Sequence, residues 1–272
     1  MSSTKVAAVV VTYNKVDVLK RCIESLKASS ASLSEIIVVN NLSTDGTKEW
    51  LDEQADLTVL NMDENLGGAG GFHYGMKHAL EQDFDWLWLM DDDCIVRPDA
   101  LQKLLEGAER APRGSFYSSL ALWLDGNPCR MNIPAVAWEW TDLIAQHQDE
   151  VPLAAASFVS CLVRAPVARA VGLPVKEFFI WFDDFEYTQR LGKIAPGYFI
   201  RDSIVMHETA FNKGVDWGEV NESNVWKYKR GIKNELSLLA HGDGAGFLKG
   251  CLRLRECLTR ANQGGAPGKT RR

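Results

Sequence analysis

Val6-Ala7-Ala8-Val9-Val10-Val11-Thr12 is an apolar, largely β-branched run that ends in the polar segment Thr12-Tyr13-Asn14. A run of this length without polar alternation reads as a strand buried on both faces. Residues 16–28 then place Val18, Leu19, Cys22, Ile23 and Leu26 at helical spacing on one face, and residues 35–40 return to a β-branched run. Strand, helix, strand at this spacing predicts a right-handed βαβ unit and a parallel sheet. Ser43-Thr44-Asp45-Gly46 caps a predicted helix reaching residue 54; residues 57–62 read as a third strand and 71–82 as a helix. Residues 85–90 form a fourth predicted strand, which runs directly into Asp91-Asp92-Asp93. The fold class is therefore α/β, a mostly parallel Rossmann-like sheet flanked by helices.

Beyond a predicted helix at residues 99–108 the clean βαβ rhythm is lost. Residues 113–224 are rich in Trp, Pro and mixed apolar residues, and six of the nine tryptophans fall between positions 123 and 226, as core or as a stacking platform. From residue 225 the pattern is helical again, broken at His241-Gly242-Asp243-Gly244 and resuming over 247–261. Residues 262–272 have the composition of a disordered tail. The expected organisation is a body at 1–224, with halves at 1–100 and 101–224, a C-terminal helical extension at 225–261, and the tail.

Composition sets the outer limits. With 272 residues, 46% of them hydrophobic and 24% charged, the chain has the make-up of a globular protein with a sizeable core. The longest apolar runs are one strand long, so neither a transmembrane helix nor a signal peptide is expected. Six cysteines without a C-x-x-C pair signal neither a zinc site nor a disulfide framework, which makes the cytosol the expected compartment. The net charge of −6 hides an asymmetry: residues 225–272 carry eleven Lys or Arg against three acids, and the rest carries 19 against 33. So acidic a body excludes nucleic acid as the expected partner. The basic segment interleaves Phe247, Leu248, Cys251, Leu252, Leu254 and Leu258 with Lys249, Arg253, Arg255 and Arg260. That is the make-up of a peripheral membrane-surface helix, or equally of one packed on the protein's own acidic body.

Four segments carry chemistry. Trp86-Leu87-Trp88-Leu89-Met90 delivers Asp91, Asp92 and Asp93 to the carboxyl end of a buried strand, the edge where α/β sheets bind ligands. Crowded carboxylates there call for a divalent cation, unless one caps the next helix and the others are solvated. In Phe178-Phe179-Ile180-Trp181-Phe182-Asp183-Asp184-Phe185-Glu186-Tyr187, acids again follow an apolar stretch. Asp183 as an N-cap with Glu186 at the third helical position leaves Asp184 free to take a proton from a hydroxyl. His207 follows the apolar run Ile204-Val205-Met206; alone it is a structural histidine, and beside an aspartate pair it completes a site suited to Mn²⁺ or Mg²⁺. Asn65-Leu66-Gly67-Gly68-Ala69-Gly70-Gly71-Phe72 fits neither G-x-G-x-x-G nor a Walker A loop, but its glycines allow backbone amides to approach an anion or a sugar.

Together these segments resemble family 2 glycosyltransferases of the GT-A fold. The resemblance runs over most of residues 5–235 and includes Asn40-Asn41-Leu42-Ser43-Thr44-Asp45-Gly46-Thr47, where relatives carry Asp-Asn or Asp-Asp in place of Asn40-Asn41. Within the family, the glycine loop, the aspartate triplet, the Trp181–Tyr187 segment and His207 are similar to galactofuranosyltransferases, with rhamnosyltransferases as near relatives. The resemblance implies an inverting, metal-dependent transfer from a nucleotide-sugar donor, UDP-galactofuranose first and dTDP-rhamnose second, to a glycan or lipid-linked glycan of the cell surface. It implies a nucleotide-sugar half at 1–100 and an acceptor half at 101–224, at the inner face of the membrane. It implies donor contacts from Thr12, Tyr13, Asn14, Asn40, Asn41, Asn65, Gly67, Gly68, Asp91 and Asp92, and metal ligation by Asp91, Asp93 and His207. Asp184 becomes the base, and Trp181, Asp183 and Glu186 line the acceptor site. Lys233-Asn234 resembles an Arg-Asn pair that follows the core in relatives.

Two other readings compete. A sugar-phosphate nucleotidyltransferase would need a Gly-rich loop bearing Arg and Lys where this chain has Thr12-Tyr13-Asn14-Lys15. A non-catalytic sugar- or nucleotide-binding module would need no base.

Overall fold

A computed structural model describes residues 4–145, 150–240 and 259. In chain order the elements are β1 (Val6–Thr12), α1 (Val16–Lys27), β2 (Glu35–Asn40), α2 (Thr47–Asp52), β3 (Thr58–Asn61), α3 (Gly67–Leu80), β4 (Trp86–Asp91), β5 (Cys94–Val96) and α4 (Ala100–Arg110). The second half adds β6 (Phe116–Leu122), β7 (Ala135–Val136), α5 (Trp140–Ala145), β8 (Val151–Ala155), β9 (Cys161–Arg164), α6 (Ala165–Val171), α7 (Asp183–Gly192), β10 (Gly197–His207) and α8 (Val225–Ala240). The expected break at 241–244, the second helical stretch and the tail lie outside the described residues.

One sheet runs through the molecule in the order β3-β2-β1-β4-β9-β6-β10-β8-β7, with β5 paired to β10. It is parallel from β3 to β4, as the βαβ rhythm predicts. Beyond β4 it is mixed: β9 is antiparallel to both β4 and β6, while β10 is parallel to β6 and antiparallel to β8 and β5. The sheet is thus parallel in its first half and mixed in its second, where β6 and β10 remain parallel.

Strand alternation builds a core on each face. Val6, Ala8 and Val10 pack with Leu19, Cys22, Ile23 and Leu26 of α1 and with Leu101 and Leu104 of α4. Ala7, Val9 and Val11 face Phe72 and Met76 of α3 and Tyr187 and Leu191 of α7. Of the tryptophans, Trp88 is fully buried, and its Nε1 donates to Ser160 Oγ at 2.9 Å. Trp138, by contrast, is 96% exposed.

The helix expected at 71–82 begins four residues earlier, at Gly67. The glycines are not a turn; they make the first turn of α3. A Cβ on Gly71 would stand 2.3 Å from Val11 Cγ1 and one on Gly75 2.5 Å from Val9 Cγ1, so the helix lies closer to β1 than any side chain would allow.

Candidate active site

The carboxyl edge of β4 carries the acidic triplet, and the chain then doubles back into β5. Because Cys94 pairs with His207 in the β5–β10 ladder, the end of β10 lies against the turn that holds Asp93. His207 Nε2 is 2.9 Å from Asp93 Oδ1, and His207 Nδ1 is 2.6 Å from Asn132 Oδ1. One donor atom from each of Asp91, Asp93 and His207 lies within 4.8 Å of the others.

The three aspartates have different surroundings. Asp92 is buried and turned toward the protein: its Oδ2 accepts from the Thr12 hydroxyl at 2.8 Å and the Tyr13 amide at 3.3 Å. Lys15 Nζ lies 2.7 Å from Asp93 and 3.3 Å from Asp92. Burial, with Asp93 beside it, pushes the Asp91 carboxyl up to about 7. Burial also opposes ionisation of Asp93, but His207 and Lys15 outweigh it and hold that carboxyl well below its ordinary range. Hydrogen bonds to Asp93 and Cys129, with the charges of Asp93 and Asp91, push His207 up to about 10 against the effect of its burial.

This donor set fits a divalent cation. Two carboxylates and one imidazole converge, and burial beside Asp93 keeps Asp91 resisting ionisation against the pull of His207 and Lys15. An Nδ1–H bond to Asn132 would leave Nε2 as the ligating nitrogen. Oxygen-rich ligation with one imidazole suits Mn²⁺ or Mg²⁺.

The loops after β1 and β2 form the neighbouring wall. Asn14, at φ 53°, accepts from the Thr44 amide at 2.7 Å, while Asp45 accepts from the amides of Val16 and Thr47 and ties α1 to α2. Asn40 departs from its expected role as a donor contact. It is 2% exposed, its Nδ2 donates to Asn61 and its Oδ1 accepts from the Ser43 amide, so both ends of the amide are committed within the protein. Thr12 is likewise buried, its hydroxyl given to Asp92. Asn41 donates to the Gly67 carbonyl, and its buried Oδ1 has no partner among the described residues. Tyr13 and Leu42 are about half exposed. Asn65 accepts from the Gly67 amide, and Gly67 itself packs on Phe179, whereas Gly68 has open space at its Cβ position.

The Trp181–Glu186 segment stands across a cavity of about 440 Å³ lined by Asp91, His207, Trp181, Asp183, Asp184 and Gly68, among others. The cavity thus joins the cation ligands to the expected base. The capping box does not form: Phe182, at φ 69°, is the N-cap of α7, and Asp183 is its first residue. Burial, reinforced by Asp184, raises Asp183 well above the carboxylate range, and burial pushes Asp184 up to about 6 against hydrogen bonds from the Phe185 and Phe158 backbone. Burial thus disfavours ionisation of Asp183 more strongly than that of Asp184.

Glu186 departs from its expected place in the acceptor site. Arg190 Nε donates to it at 2.5 Å and Nη2 at 2.9 Å, while the same guanidinium holds the Val171 and Leu173 carbonyls. It is a structural clamp between α7 and the chain after α6. Sequence reasoning missed Asn132, the cavity residues Met131, Ile133 and Trp217, and Glu235 of α8, which also lines the cavity. Only Asn132 had a usable signal, a polar residue among apolar neighbours.

Residues 7–139 match the family described as Glycosyl transferase family 2. The chain is 31% identical over 196 residues to galactofuranosyltransferase GlfT1 of Mycolicibacterium smegmatis, covering 68% of this chain and 65% of that one. It is 35% identical over 197 residues to GlfT1 of Mycobacterium tuberculosis, covering 68% and 64%. It thus spans slightly under two thirds of these relatives' length. Among solved structures, TarS of S. aureus in complex with UDP-GlcNAc superposes with a TM-score of 0.62 at 15% identity, over 94% of this chain and 72% of TarS. The mannosyltransferase PcManGT of Pyrobaculum calidifontis, in complex with GDP-Man and Mn²⁺, gives 0.61 at 15% identity, over 97% and 76%. Residues 7–139 thus match glycosyltransferase family 2, and the chain shares the GT-A fold of these neighbours.

Proposed function

We propose that the protein is an inverting transferase that moves galactofuranose from UDP-galactofuranose to a hydroxyl of a glycan or lipid-linked glycan acceptor. The observation that carries this reading is Asp184, a carboxylate poised near pH 6 in the same cavity as Asp91 and His207. The acceptor hydroxyl gives its proton to Asp184 as its oxygen attacks the anomeric carbon, and the bond to the diphosphate breaks on the opposite face. Asp183, kept neutral by burial, leaves Asp184 as the single charge of the pair. Asp91, Asp93 and His207 would hold Mn²⁺ or Mg²⁺. A cation bound there neutralises charge on the departing diphosphate. A glycosidase needs a second carboxyl group as acid, but a nucleoside diphosphate leaves as a stable anion, so one base suffices.

Similarity to GlfT1 supports galactofuranose as the donor sugar, and Tyr13, Asn14, Asn41 and Gly68 are the donor-side residues this reading uses. Trp181 and Asp183 would face the acceptor. Among the described residues no helix is long and apolar enough to cross a membrane; work at the inner membrane surface is part of the same proposal. The test offers UDP-galactofuranose, UDP-galactopyranose, UDP-glucose and dTDP-rhamnose with Mn²⁺ and a panel of glycoside and lipid-linked acceptors, and weighs the products. Addition of a hexose from UDP-galactofuranose alone is the expected result. A deoxyhexose product would replace it with a rhamnosyl reading, and donor binding without any product would leave a binding module.

A further inference from the structure

The base is delivered by an unusual piece of backbone. Phe179, Trp181 and Phe182 have φ of 64°, 66° and 69°, a region bulky side chains avoid, and no glycine relieves them. Such conformations persist only where surrounding structure over-determines them. The holding group is Asn234 of α8, itself 2% exposed. Its Nδ2 donates to the carbonyls of Phe178 at 2.9 Å, Ile180 at 3.0 Å and Trp181 at 3.0 Å. Left-handed residues curl the chain so that its carbonyls point toward one centre, where their dipoles repel unless a donor sits among them. A side-chain amide supplies two N–H groups at that centre and leaves no other orientation of the amide open.

The rest of α8 is built around the same curl. Arg230 lies over the Phe179 ring at 4.3 Å, Trp226 meets that ring edge-on at 5.9 Å, and Tyr228 meets Trp181 at 5.2 Å. A Cβ on Gly231 would stand 2.7 Å from the Trp181 ring. Asp183 and Asp184 follow the curl directly, so its shape sets where their carboxyls stand.

We propose that Asn234 is a positioning residue for the base: it holds the 178–182 curl that presents Asp184 to the acceptor, and so links the seating of α8 to catalysis. This rests on Asp184 being the base. The proposed cation ligands are held separately, by β4, β5 and β10, so disturbing Asn234 separates turnover from Mn²⁺-dependent UDP binding.

The experiment uses the full chain with Asn234→Asp, which keeps the shape but removes the donor, and Asn234→Ser, which keeps one donor. In Asn234→Asp, kcat with UDP-galactofuranose falls about a hundredfold while donor KM stays within about twofold, and Asn234→Ser falls between it and wild type. Hydrogen exchange quickens at residues 179–186 in both variants and stays unchanged in β4 and β10. Wild-type kcat and exchange in Asn234→Asp would overturn the proposal. So would loss of UDP and Mn²⁺ binding with faster exchange throughout, which would make Asn234 a determinant of the whole fold. Should wild type transfer nothing, the functional reading fails, while the exchange arm still decides whether Asn234 holds the curl.

Discussion

His207 Nε2 stands 2.9 Å from Asp93 Oδ1 although 114 residues separate the two in the chain. The contact follows from one strand pairing: β5 leaves the acidic turn and runs antiparallel to β10, so that Cys94 opposite His207 sets the neighbour Asp93 against the imidazole. A turn closed by β10 on one side and by Thr12 and Lys15 on the other has little freedom to rearrange. The proposed cation site is therefore largely preformed, and its loss should be local.

Asp93→Ala and His207→Ala should each weaken Mn²⁺-dependent binding of UDP without unfolding the protein. Asn132→Ala, which removes the acceptor behind the imidazole, should cost about tenfold in Mn²⁺ affinity, the lower end for a group that orients a ligand. Isothermal titration of the three variants measures this. Wild-type Mn²⁺ and UDP binding in both ligand variants would remove the trio from the reaction.

Asp184 gives a pH signature. Its carboxyl is pushed up to about 6 by burial, so the base is ionised above that pH and transfer should fall as pH drops through it, where an ordinary aspartate would hold activity to about pH 4. Stability runs the other way. A folded-state pKa above the unfolded one means that the folded protein binds more protons between about pH 4 and 6, and stability falls as pH rises across that window. Asp184→Asn should lower kcat by about a hundredfold with donor affinity intact, yet melt at or above the wild-type temperature at pH 8. A wild-type rate, or a loss of stability on amidation at pH 8, would contradict the assignment.

Glu186 tests the division between site and scaffold. With both carboxylate oxygens on Arg190, Glu186→Gln should destabilise by about 2 kcal/mol, the scale of hydrogen bonds to a charged group, and leave acceptor KM unchanged. Chemical denaturation and acceptor kinetics on one preparation decide it. A raised acceptor KM at unchanged stability would return Glu186 to the acceptor site.

What the sequence made legible is what short-range pattern encodes. Val6–Thr12 with its helix and following strand gave the βαβ unit, and an acidic triplet after an apolar strand gave two of the three side chains that converge with His207. What stayed hidden depends on contacts distant in the chain. Asp183 looks like an N-cap by spacing, but Phe182 takes that position, at the end of a left-handed curl whose carbonyls accept from Asn234, some fifty residues on. Asn40 reads as a donor contact until Asn61 of β3 is seen to occupy its amide. Glu186 and Arg190 stand at a pairing interval along a helix, a signal obscured by taking the acids as one cluster. The glycines at 67–71 pointed to a loop because helix interiors disfavour glycine; contact with Val11 of β1 overrides that preference.

Those glycines allow a last prediction in which neighbouring, chemically identical changes should behave differently. Gly67 has φ +69°, and a Cβ there would lie 2.0 Å from the Phe179 carbonyl oxygen, at the start of the curl that leads to the base. Gly67→Ala must pay about 1–2 kcal/mol for the left-handed backbone and also displace Phe179. Both stability and kcat should fall. Gly68 has nothing within 4 Å of its Cβ position and lines the cavity beside Asp91, so Gly68→Ala should melt as wild type does while its methyl group narrows the donor space and raises donor KM. Thermal melting and steady-state kinetics on the two variants separate the roles. Equal melting temperatures would mean that the close approach of α3 to Phe179 is readily relieved, and an unchanged donor KM in Gly68→Ala would place the donor elsewhere along the cavity.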